Sequence, residues 1–202
     1  LIELLVVLGL FSGIATISLG ALFNAQSINA RLQESQAILD NVNLSTQTIA
    51  RDIRFGSEFY CTTSLPLTSV LVPTIRKSCP YGVGLTGGGT VLIFRPAETS
   101  TSTDRVAYYL KNGVLYREDY PRNAASSTLQ MTSNEVTIKS ITFFVDGAQT
   151  SDGSNDDAGA SDYKQPLISI LISGDTKPTM SSVKPVTFNI QTSVSAREID
   201  NK

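Results

Sequence analysis

The opening run, LIELLVVLGLFSGIATISLGALF, limits what this chain can fold into more than any other stretch. No side chain from Leu4 to Phe23 is charged, and the only charge ahead of Arg31 is Glu3. Twenty apolar residues wound into a helix rise about 30 Å, the thickness of a bilayer's hydrocarbon core. The chain therefore carries one helix of membrane length with a carboxylate at its tip. A lone acid on such a helix is costly in lipid and points to a function. The run differs from an ordinary secretory signal, because no basic residue precedes it and it exceeds the usual signal core.

The helix should continue past Phe23. Residues 24–54 hold neither proline nor glycine. Ile28, Leu32, Leu39, Val42, Ile49 and Ile53 recur at helical spacing, with Gln33, Glu34, Asp40, Asn41 and Arg51 on other faces. One helix of about 53 residues is roughly 80 Å long, so its second half must lie on the protein's own domain. Gly9, Gly13 and Gly20 interrupt the apolar half, each at a cost of about 1 kcal/mol relative to alanine. They read as close-packing positions for neighbouring helices or as points where the helix loosens. Gly56 reads as the C-cap.

Beyond Gly56 the texture is that of strands. Segment 57–89, with three prolines and both cysteines, reads as irregular. TVLIFR (90–95) reads as a buried strand. In RVAYYLKNGVLYRE (105–118), Asn112-Gly113 supplies the two positive-φ positions of a type I′ turn. That register sets Leu110 against Leu115 on one face and Tyr109 against Tyr116 on the other. In 135–145 the alternation shifts phase at Ser140, which predicts a bulge. Segments 166–173 and 185–194 bring the strands to about six, with Phe188, Ile190 and Val194 inward. The expected fold class is α+β: a long N-terminal helix, its apolar half protruding, packed through residues 28–53 on an antiparallel sheet. The expected divisions are 1–23, an apolar helix; 24–54, its amphipathic continuation; and 55–202, a β-rich domain of roughly 150 residues, enough for a real core.

Composition narrows the chemistry. The chain has no histidine, which removes the commonest general base and metal ligand. No serine–lysine motif with its supporting residues appears either, so no enzyme is expected. The net charge of −2 offers nothing to nucleic acid. Tyr108, Tyr109, Tyr116, Tyr120 and Tyr163 read as a half-buried hairpin surface, since Asp104, Glu118 and Asp119 offset Arg105, Lys111, Arg117 and Arg122. Cys61 and Cys79 form one disulfide, worth about 3 kcal/mol for a loop of this length, or remain two buried thiols. A disulfide places the domain outside the cytoplasm.

Gly82-Val-Gly84-Leu-Thr-Gly87 matches a dinucleotide fingerprint but precedes a strand where a helix is required. Asp152, Asn155, Asp156, Asp157 and Asp162 crowd one loop that offers oxygen ligands to calcium, without EF-hand order; a solvated loop and no cofactor is the expectation. Thr99, Ser100, Thr101, Ser102 and Thr103 are candidates for O-linked sugar, and the Asn43 sequon lies on a predicted helix.

At Leu-Ile-Glu followed by this uncharged run and an amphipathic continuation, the chain resembles type IV pilins and the pseudopilins of type II secretion. The motif covers residues 1–54; the remainder resembles them in architecture alone. The apolar half lacks the proline at which many members kink, and Gly13 and Gly20 stand in for it. The resemblance implies the pilin fold, with a leader removed by a prepilin peptidase and a methylated aromatic residue ahead of the Leu-Ile-Glu. It implies that Glu3 neutralises the terminal amine of an adjacent subunit during assembly. The implied function is a structural subunit of a type IV pilus-like filament, anchored by one span in the cytoplasmic membrane and then exported to the cell surface. The implied partners are further copies, other pilins and the assembly machinery. Two alternatives stand beside it: a minor pilin or pseudopilin that primes or caps a filament, and a monomeric membrane-anchored binding domain.

Overall fold

The structure is a computed structural model that describes residues 2–64, 76–81, 87–97, 104–121, 125–148, 165–177 and 185–197. A single unbroken helix, α1 (Ile2–Phe55), is followed by eight strands. The fold class is α+β, as the helical and alternating patterns require. β1 (Ser57–Thr62), β2 (Val91–Arg95), β3 (Arg105–Lys111), β4 (Val114–Tyr120) and β5 (Ser127–Gln130) form an antiparallel sheet in chain order. β6 (Val136–Asp146), β7 (Leu167–Thr176) and β8 (Thr187–Ser195) form a second.

The hairpin adopts the expected register, with Tyr109 opposite Tyr116 and Leu110 opposite Leu115. Its turn holds Asn112 at φ 52° and Gly113 at φ 78°. The phase shift in β6 is a bulge between Ile138 and Ser140, and it turns Ile141, Phe143 and Val145 inward. Two strands appear where none was expected. β1 lies in the stretch read as irregular, where only Phe59 and Cys61 alternate inward, and β5 is exposed along its whole length and carries no alternation.

The helix meets the domain on only part of the predicted stripe: Val42, Ile49 and Ile53 are buried as expected, but the contact face is turned toward Ile38 and Ser45. Ile38, Val42, Ser45, Ile49 and Ile53 are buried, at steps of four, three, four and four. Ile28, Leu32 and Leu39 are exposed, and the packed stretch starts only at Ile38. Position 39 lies about 100° round the helix from position 38. Ser45, a polar residue in the middle of the buried stripe, hides its true phase. The Ser45 hydroxyl is shared between the carbonyls of Asn41 and Met131, so its burial leaves no unmet donor. Asn41 Oδ1 accepts from Ser133 N at 3.0 Å, and Arg197 N donates to Arg54 O at 2.8 Å. These bonds fix both ends of the packed half.

Gly56 follows the last helical residue, but not as a left-handed cap, since its φ is not positive. A Cβ there would sit 2.6 Å from the Phe94 ring, so glycine answers a close approach. Phe94 continues into the core, 5.5 Å from Phe59 and 6.0 Å from Tyr108 between ring centroids.

The two sheets join through short bridges. Gly89 and Phe143 exchange backbone hydrogen bonds of 2.8 and 2.7 Å, and Cys79 pairs with Val145. Cys61 and Cys79 form a disulfide with Cα atoms 5.9 Å apart. It ties β1 to the segment that bridges β6. On the far side of the three-stranded sheet the exposed side chains are mostly hydroxyls and amides. Across the strands Phe144 stands beside Ser169 and Ser193, and Thr142 beside Leu171 and Gln191.

Candidate functional site

Glu3 occupies the first turn of α1. There the helix dipole favours a carboxylate. Behind it Ile2–Asn29 is long and apolar enough to cross a membrane, and none of it is buried against the rest of the chain. An apolar surface of this extent cannot be left in water, so it belongs in lipid or against another apolar surface. The helix does not break at Gly9, Gly13 or Gly20, and a Cβ added at any of them would meet nothing within 4 Å. Nothing in the domain requires their smallness. With Thr16 they fall at steps of four, three and four along one face, which admits the close approach of another helix. The Thr16 hydroxyl donates to Ser12 O at 2.8 Å, so it is satisfied without water.

A second exposed stripe runs further. Leu10, Ile14, Ile17, Ile28, Leu32 and Leu39 are all exposed, and their spacing keeps them on the side of the helix that carries Glu3. The last of them lies ten residues beyond Asn29, about 15 Å along the axis. Ile28, Leu32 and Leu39, three of the six residues expected on the domain-facing stripe, thus extend the free apolar surface.

A charged cleft of about 810 Å³ opens between the end of α1 and β3–β4, and Arg51, Asp52, Phe55, Arg105, Arg117 and Asp119 help line it. Its charges are largely matched to one another. Asp52 accepts from the buried Tyr108 hydroxyl at 2.7 Å and pairs with Arg117 Nε at 3.2 Å. Arg117 in turn bonds Asp119 at 2.9 Å. Glu58, held at φ 55°, pairs with Arg95 at 3.0 Å and with the buried Arg105 at 2.6 Å. Burial pulls the Arg105 guanidinium below its ordinary value, with Glu58 opposing. Burial likewise pushes the Asp119 carboxyl up, against the pull of Arg117. This arrangement fastens the helix to the sheet. Sequence reading missed Asp52 and Glu58. The only signal for Asp52 is an acid flanking Ile49 and Ile53; the left-handed Glu58 gave none.

The Asp52–Tyr108 bond carries a prediction. Tyr108→Phe removes one hydrogen bond to a charged group and should cost about 1.5 kcal/mol. Asp52→Ala also strands the Tyr108 hydroxyl and removes one of the two carboxylate partners of Arg117, and should cost about 3 kcal/mol. Urea unfolding of the full chain in detergent measures both, and equal losses would refute the fastening role. Burial and Asp52 also raise the Tyr108 pKa above the 10.0 of a free tyrosine. The unfolded chain then releases that proton first, so Tyr108 contributes a loss of stability as pH rises past 10.0, and Tyr108→Phe removes it.

Among the described residues no group of three or more His, Cys, Asp or Glu side chains is placed to hold a metal. Asp152, Asn155, Asp156, Asp157 and Asp162, the run Thr99–Thr103, Gly82 and Gly84, Arg122 and Tyr163 lie outside the described residues. The other tyrosines form two groups. Tyr108 faces the helix, whereas Tyr109 and Tyr116 stack at 5.8 Å on the opposite face with Tyr120 beside them. Burial and a bond to Glu118 push the Tyr109 hydroxyl up to about 12. Comparison with known family models, with curated proteins and with solved structures finds no match for this chain.

Proposed function

We propose that this protein is a structural subunit of a type IV pilus-like filament. It polymerises through the apolar half of α1, with Glu3 meeting the terminal amine of a neighbouring subunit. The observation that carries the reading is the exposed stripe that continues from the membrane-length segment through Ile28, Leu32 and Leu39. A simple anchor gains nothing from apolar residues about 15 Å past the bilayer, whereas a helix packed on its neighbours needs them. The long helix on an antiparallel sheet, with the apolar half projecting and the domain cross-linked, is compatible with a pilin-like shape.

In this reading the subunit waits in the cytoplasmic membrane as a single span. Assembly then exchanges lipid contact for helix–helix packing, with the small face of Gly9, Gly13 and Gly20 setting the closest approach. A prepilin peptidase and a dedicated assembly machine are the implied partners. The domain faces outward at the cell surface.

Electron microscopy of material sheared from cells tests it. Filaments labelled along their length by antibody to residues 57–202 are the expected result. Label confined to filament tips would make the chain a minor pilin or pseudopilin that primes or caps. Membrane-bound monomer with no filament would overturn the reading in favour of an anchored binding domain.

A further inference from the structure

We infer that the outer face of the three-stranded sheet binds neutral polysaccharide. This inference is independent of filament assembly. Tyr81 is 85% exposed, which is unusual for a large ring, and it meets Phe144 edge to face with centroids 5.4 Å apart at 69°. Together with Ser169, Leu171 and Gln191 these two rings line an open groove of about 430 Å³.

The groove presents an aromatic platform beside groups that both donate and accept. Ser169 and Ser193 share one hydrogen bond of 2.8 Å, which leaves one hydroxyl hydrogen and several lone pairs for a ligand. The Gln191 amide adds two donors and an acceptor. The row beyond, from Ser140 through Ser173 to Asn189, repeats the pattern of hydroxyls and an amide. No charged side chain stands in these three rows. Among the described residues of this sheet, charges stand at the ends of the face, with Asp146 at one end and the Lys139–Asp175 pair at the other.

That chemistry selects a class. An anionic polymer finds no cation in these three rows, and an apolar ligand leaves the hydroxyls and amides unpaired. A neutral sugar chain matches both halves: its C–H faces lie on the aromatic rings, and its hydroxyls complete the Ser and Gln hydrogen bonds. Three strands span about 10 Å, so the open groove suits an extended chain better than a single small molecule. Strand pairing holds the residues in place, so little order is lost on binding.

The test uses the full chain in micelles of a polyoxyethylene detergent, whose head group carries no sugar. Retention is measured on insoluble cellulose, chitin and mannan, with heparin as the anionic control. Retention on at least one neutral polymer, unchanged by high salt, is expected. Tyr81→Ala and Gln191→Ala should each weaken it about tenfold, equivalent to about 1.4 kcal/mol. Leu129→Ala, on the other sheet, should leave it unchanged. Tyr81 is so exposed that its loss does not endanger folding, and an unchanged melting temperature checks this. Retention on none of the three neutral polymers overturns the inference. So does retention that survives Tyr81→Ala, and so does binding to heparin alone that salt abolishes.

Discussion

Subunits carrying Glu3→Ala should enter the membrane normally and fail to polymerise. Insertion is not impaired, because removing a carboxylate from an apolar helix eases its transfer into lipid. In the proposed filament, assembly is impaired because the neighbour's ammonium would then be drawn into an apolar bundle with nothing to offset it. Removing one partner of such a buried pair costs about 3–5 kcal/mol. At 1.4 kcal/mol per tenfold, subunit association falls by roughly a hundredfold or more. Glu3→Gln keeps the shape and loses the charge, so it should fail as the alanine variant does, while Glu3→Asp should retain partial assembly. Membrane fractionation reads insertion, and the mass of sheared filament reads assembly. Polymerisation of Glu3→Ala at the wild-type rate would remove Glu3 from the mechanism. Full assembly of Glu3→Gln would keep its hydrogen bonding and discard its charge.

Features with a purely local cause were legible before the structure. Asn112-Gly113 names its turn because few other pairs accept two positive φ angles, and the register of β3 and β4 follows from it. The Ser140 bulge was visible because alternation has a strict period of two. The helix phase was not, because Ser45 lies in the buried stripe and Leu39 does not. Hydrophobicity alone therefore placed Val42, Ile49 and Ile53 correctly but favoured Leu39 over Ser45. Choosing between them needs the carbonyl of Met131, 86 residues away, that satisfies Ser45. Separation in sequence likewise hid the partners of Asp52 and the approach of Phe94 to Gly56. At the candidate site Glu3 and the three glycines stood out by type. The extension of the apolar stripe to Leu39 emerged only once the domain was seen to leave those residues uncovered.

Gly89→Ala should produce the largest loss of stability of any single methyl added to the domain. Gly89 sits where β1, the disulfide and β6 converge, and it exchanges both backbone hydrogen bonds with Phe143. A Cβ there would lie 2.5 Å from Cys61 Sγ and 2.6 Å from Thr62 O. Neither atom is the free end of a side chain. One is cross-linked to Cys79 and the other is backbone, so relief requires β1 to move away from β6. Overpacking of this kind costs about 3 kcal/mol. For a domain of this size that lowers the melting temperature by roughly 6–12 °C, measured by circular dichroism of the full chain in detergent. Gly20→Ala, whose Cβ meets nothing within 4 Å, is the control and should leave the domain's transition unmoved. The decisive comparison is made without the disulfide. Cys61→Ala with Cys79→Ala should itself cost about 3 kcal/mol through the longer reach of the unfolded chain. It also removes the sulfur that the new methyl would strike. Gly89→Ala should then cost measurably less than in the cross-linked protein, because residues that share a contact are not additive. Equal costs in the two backgrounds would place the strain on Thr62 alone, and a melting temperature within about 1 °C of wild type would mean the joint has room to spare.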